Sequence, residues 1–352
     1  LTGLRVFLAS PYGALELDGD VKLVRNLPVS ASLAVKPAAI AYGDIKIDLK
    51  AGRLTYDSKD GRVSAQIAGD LEQPSLRLQG LSADLSATAL RWTVARGGFA
   101  VAAPSLRLTG SARAADAGVS ATALSFDAAA RDFRISRSRS GWDGRGDLSM
   151  TAAADFDSGK VRTLLTADRV LADAAAANLK HLALKSGDVR DGRIRFVLDE
   201  PAVLTGAAGA VLRVPEMTFE SAGGKVTGAL QAALAGGRLP AATLRMREFT
   251  FANGAFESDA GIGARLDYGA FHGIAVDGAG RITGRAGEGS FSPAACAKLT
   301  ISAFRPGPEN LARGIGGALC AAGSTPMIAM GKDGLTFNAL ARDMAAAARG
   351  DD

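Results

Sequence analysis

Bulky rings are scarce in this chain. Aromatic residues make up 6% of 352, with two tryptophans, whereas a sandwich or barrel of such length normally fills the space between its layers with aromatic side chains. Histidine is rarer still. His181 and His272 stand alone, no G-x-S-x-G accompanies either, and a nucleophile, base and orienting group are not legible together. Both read as strand-surface residues. C-x-x-C and H-x-x-x-H are missing, so no metal site is expected. The two cysteines, Cys296 and Cys320, can bond to each other or remain buried thiols, and the residues alone leave both open.

Further absences narrow the class. No apolar run reaches the roughly 18 residues of a membrane-spanning helix. The start, LTGLRVFLASPYG, lacks the basic and continuously apolar regions of a signal peptide. The chain is therefore expected to be a portion of something longer, with any targeting signal or membrane anchor outside it. Forty-one Lys and Arg against 36 Asp and Glu leave an excess of +5, too thin overall to argue for nucleic acid. GIGGAL (314–319) lacks the last glycine of a dinucleotide fingerprint, and GKD (331–333) has Asp where a phosphate loop needs Ser or Thr. Asp199-Glu200 and Asp351-Asp352 are adjacent and would point apart on a strand. The expectation is a protein that is not an enzyme and carries no cofactor.

What the chain does have is alternation. LELDGDVKL (15–23) puts Leu15, Leu17, Gly19, Val21 and Leu23 on one side and four charges on the other. IKIDL repeats this with Ile45, Ile47 and Leu49, and LRL with Leu76 and Leu78. GRIRFVL does so with Ile194, Phe196 and Leu198, and LRMREFTF with Leu244 and Met246. In the last the parity slips to Phe249 and Phe251, which predicts a bulge or tight turn. Turn signals recur at short intervals, among them Lys59-Asp60-Gly61, Ser186-Gly187-Asp188, Asp191-Gly192, Gly223-Gly224, Gly236-Gly237, Asn253-Gly254 and Lys332-Asp333-Gly334. Strand, turn, strand from 1 to 352, with no composition break, predicts one repetitive, mainly β segment with little helix. ADAAAANLKHLAL (172–184) has the Ala content of a helix, but the alternation of Leu182 and Leu184 and the following Gly187-Asp188 favour strand-turn-strand. PENLARGIGGAL (308–319) reads as too glycine-rich for a helix, and DMAAAARGDD (343–352) as open to a helical coil.

The apolar stripe has two readings: it packs against a second sheet, or it lines a trough into which a curved, mostly antiparallel sheet curls. Some twenty to twenty-five strands at ~4.8 Å would extend on the order of 100 Å, and strands of roughly 20 Å are wide enough to curve around acyl chains. One stretch is strongly basic, RDFRISRSRSGWDGR (131–145). In extended geometry Phe133, Ile135, Arg137 and Arg139 share a face there. That face is either a groove rim whose arginines reach phosphate head groups or a solvated strand end.

The segment CAKLTISAFRPGPENLARGIGGALCAAGSTPMIAMGKDGLTFNA (296–339) opens with a Cys at the head of an alternating strand. A second Cys follows in a Leu-Cys-x-x-Gly context, then a Pro, another strand and a Gly turn. With the Gly/Ala-rich series of one-sided strands before it, the chain resembles the YdbH family of AsmA-like envelope proteins, themselves similar to bridge-like lipid transfer proteins. The strand pattern covers nearly the whole chain but is shared with TamB-like relatives; the two-cysteine segment is more specific. The resemblance implies a periplasmic location and tethering to the inner membrane by an N-terminal helix not present here. It also implies an apolar groove passing phospholipids between inner and outer membranes. In an oxidising periplasm it implies a Cys296–Cys320 disulfide, and it turns the apolar stripe toward lipid. The alternative is a secreted or surface β-solenoid that adheres or scaffolds around a protein-filled interior; an envelope hydrolase ranks below both.

Overall fold

The computed structural model describes residues 2–10, 13–25, 27–42, 45–73, 76–95, 98–115, 121–138, 141–164, 169–186, 189–190, 195–222, 225–285, 288–307, 312–331 and 334–347. The protein is 80% strand and 5% helix, its strands joined in antiparallel ladders, so backbone hydrogen bonding is met almost wholly between neighbouring strands. Contacts group the chain into two compact units: Leu1–Lys160 with Lys180–Ile194, and Val161–Leu179 with Arg195–Asp352.

In the first unit long strands follow one another by hairpins. Gly13–Val24 pairs with Leu27–Val35, Ile45–Asp57 with Arg62–Gln73, and Ala121–Ser138 with Gly141–Phe156. Bulges interrupt this regularity. Lys50 is an extra residue on its strand, and Gln79-Gly80 add another on Leu76–Thr88, where Gly80 takes φ +59°. Gly80 N–H then donates to Asp70 Oδ1 at 2.8 Å, and Lys50 Nζ lies 2.5 Å from Asp70 Oδ2. One carboxylate thus serves both bulges, which bend the strands locally.

The second unit runs from Arg195–Leu198 to Ala339–Ala347. Asn253 and Gly254, with φ of +52° and +71°, form the two-residue turn that their identities predict. The parity slip of LRMREFTF is a bulge: Met246 faces Ala260 and Glu248 faces Asp259, leaving Arg247 over. Leu244, Met246 and Phe249 therefore keep to one face.

Two local expectations are corrected. Arg169–Leu179 is an α-helix rather than a strand, with Ala172, Ala174, Ala175 and Ala176 buried, and only His181–Lys185 is strand. The Ala run and the alternation that follows it belong to different elements, separated by Lys180 alone. The Ala-rich end is strand, not helix, through Ala347: Ala339–Ala347 pairs with Ala312–Ala321, itself a strand. The turns anticipated at 187–188, 191–192, 223–224 and 332–333 lie outside the described residues.

Candidate functional site

Following the registers sideways shows what the alternation builds. In the first unit one row across ten strands reads Val6, Leu17, Val35, Gly52, Ile67, Ala83, Gly110, Phe126, Ala152, Leu184. No polar residue interrupts it. The next row reads Leu4, Gly19, Leu33, Leu54, Ala65, Leu85, Leu108, Ala128, Met150. The row on the other face reads Arg5, Asp18, Ala34, Arg53, Gln66, Asp84, Thr109, Asp127, Thr151, Lys185. Each strand is one-sided, and register adds the sides into an apolar and a polar surface.

The second unit repeats the design with more rings. Phe196, Phe219, Gly228, Phe249, Ser258, Ile282, Phe291, Ile328 and Phe337 form one row. Phe196 stacks on Phe219 with ring centroids 4.3 Å apart, and Phe249 covers Gly228, where a Cβ would meet its ring at 2.7 Å. Ser258 is the one polar member. It is buried, and its hydroxyl is satisfied by donating to Glu248 O at 2.8 Å. The opposite row reads Arg195, Glu220, Thr227, Thr250, Glu257, Thr283, Ser290, Ala329, Thr336.

The apolar surfaces are incompletely covered. Two separate compact globules of half this mass would together expose about 16,000 Å², but the chain exposes 22066 Å². Ile67 is 37% exposed and Met150 39%, although both lie on the apolar face. Among the described residues Met327 is the one large side chain less than 2% exposed. In the first unit the substantial contacts between elements all run between hydrogen-bonded neighbours.

The anticipated lining residues fall on these surfaces. Leu17 and Leu49 are buried, Leu15, Val21, Ile47 and Leu78 half-buried, and Leu23, near its strand end, 41% exposed. Those six and Leu23 belong to the first unit. Phe196, Leu198 and Leu244, half-buried, and Met246, buried, belong to the second. Ile45 and Leu76 are placed by their backbone only; Ile194 and Arg139 lie outside the described residues. Arg137 is placed by register, between Phe99 and Trp142. Single-strand reading marked Leu106 and Leu108 as one-sided without assigning them to the lining, and missed Leu85, Phe126 and Phe219, which alternation marks once registers are known. Cys296 and Cys320 are bonded to each other.

Two clefts, of about 670 Å³ and 440 Å³, are lined chiefly by polar-face positions. Of their charges, Glu257 in one pairs with Arg281 beside it, and in the other Asp70 pairs with Lys50 and Glu72 with Arg77. Asp70 has its pKa lowered, first by the Lys50 hydrogen bond and then by Gly80 N–H. His181 Nδ1 meets Asp155 Oδ1 at 2.5 Å on the solvent side of its strand. No protein-family model, curated protein or solved structure matches the chain.

Proposed function

We propose that the chain is a non-enzymatic lipid-binding segment whose apolar sheet faces hold phospholipid acyl chains and let them pass across the strands, from each to the next. The observation that carries this reading is the uninterrupted apolar row from Val6 to Leu184 on a face left partly open. Moving an acyl chain through water costs about 0.8 kcal/mol per CH₂ exposed, and such a face lowers that cost without a tight pocket. Ladders of Leu, Val, Ile and Ala offer no hydrogen bonds, so lipids would slide rather than lodge, with direction supplied from elsewhere. The resemblance of the sequence to the YdbH family supports reading this activity as periplasmic, with inner and outer membranes as the ultimate partners. A filled solenoid would bury many large side chains, and the scarcity of such residues favours the open reading.

Mass spectrometry of the purified chain tests it. Co-purifying phospholipid, and lipid crosslinks from photoreactive residues at Ile67 and Leu85, are expected. A lipid-free preparation with crosslinks only to protein would overturn the proposal.

A further inference from the structure

The net charge of the chain is concentrated in two short segments. Residues 91–96 and 131–145 hold seven arginines and two aspartates, an excess of five that equals the whole chain's +5. The first unit brings these segments together. Arg91 pairs in register with Ala102, Ala102 with Arg134, and Arg134 with Arg145, so three arginines occupy one row over four adjacent strands. All three are exposed, and none has an ion-pair partner among the described residues. Arg134 and Arg145 are directly opposite, an arrangement of like charges that weakens a sheet. Asp143 and Asp147, two residues to either side of Arg145 on its strand, offset part of this charge; Asp147 stands opposite Arg131.

On the other face of the same strand ends, successive rows read Trp92, Val101, Ile135, Gly144 and then Val94, Phe99, Arg137, Trp142. Both tryptophans of the chain therefore stand at this end. Indoles prefer the boundary between head groups and hydrocarbon, and basic residues beside them are drawn to anionic lipid. We infer that this end of the Arg91–Ala95, Gly98–Ala115, Ala121–Ser138 and Gly141–Phe156 strands docks on the surface of an anionic phospholipid bilayer. Arg91, Arg134 and Arg145 meet head-group phosphates there, and the two tryptophan positions sit at the boundary. A bound phosphate layer offsets the repulsion between Arg134 and Arg145, which Asp143 and Asp147 relieve only in part. The arginine row lies on the polar face, and the contact does not depend on the apolar faces carrying lipid.

The tryptophans make the test direct, because all indole fluorescence comes from the proposed site. The purified chain is mixed with vesicles of phosphatidylglycerol and phosphatidylethanolamine, or of phosphatidylcholine alone, at 0.1 M salt. A blue shift and co-sedimentation with the anionic vesicles only are expected. Arg134→Gln with Arg145→Gln should weaken that partitioning about thirtyfold, about fivefold per arginine, and leave co-purified lipid unchanged. Arg134→Glu sets an opposite charge across from Arg145, so it should melt no lower than the parent while binding vesicles less well. Unchanged emission, equal binding to phosphatidylcholine, or full binding by the double variant would overturn the inference. The same spectral change produced by a single-stranded oligonucleotide without vesicles would replace the bilayer with a soluble polyanion.

Discussion

At the scale of the residue, two polar side chains hold places that the backbone leaves unsatisfied. Asn178 is 2% exposed. Its Nδ2 donates to Ala174 O at 2.9 Å and Gly237 O at 2.8 Å, and its Oδ1 accepts from Ala210 N at 2.9 Å. It thereby ties the helix to two loops of the second unit, and Gly237, with φ +64°, leaves it room. Asn178→Ala would strand a buried N–H and a carbonyl, costing about 2–3 kcal/mol, measurable as a lower urea midpoint. Asp70 plays the matching part in the first unit. Its folded-state pKa lies below the ordinary 3.8, first because of the Lys50 hydrogen bond. The stability it contributes is therefore present above that ordinary value and lost as pH falls through the lowered one. Urea melts between pH 5 and pH 2 should show Asp70→Asn flattening part of the acid decline of the parent; identical slopes would rule out this contribution.

Elements show where local pattern and neighbouring pattern compete. The bulge at Arg247 was legible because Phe249 and Phe251 break the parity set by Leu244 and Met246, and an apolar face tolerates no other solution. The helix Arg169–Leu179 was signalled by its Ala content, since Ala is the strongest helix former. The alternation of Leu182 and Leu184 runs straight on from it and overrode that signal. Cys296 lies one step beyond the Ala297–Leu319 pair, directly toward Cys320, and the strand they brace, Ala297–Phe304, buries Ala297, Leu299, Ile301 and Ala303. Changing both cysteines to serine frees a loop closed over 24 residues and should cost ~3 kcal/mol. Urea melts of the parent with reductant should coincide with those of the double variant; a parent that melts alike with and without reductant would contradict this.

For the whole molecule the question is what the apolar faces are for, and charge placed on them separates the answers. Ile67, 37% exposed, sits inside the longest apolar row. Ile67→Lys should fold, with a loss of at most about 1–2 kcal/mol because the site is already part open, and should carry less co-purified lipid. Circular dichroism and lipid mass spectrometry read the two effects separately. Wholesale unfolding of this variant would point to a packed interior.

The chain's own order of residues determined that it is mostly β, which residues share a face, where several turns fall, and which strand bulges. Those are consequences of period-2 geometry and of the φ that glycine and asparagine permit, and they act within a few residues. Only tertiary structure decided the registers that join one-sided strands into continuous apolar rows, the grouping into two units, the Cys296–Cys320 bond, and the meeting of Arg91 with Arg134 and Arg145. Each of these depends on hydrogen bonding between segments distant in sequence, and no local preference specifies which strand will lie alongside.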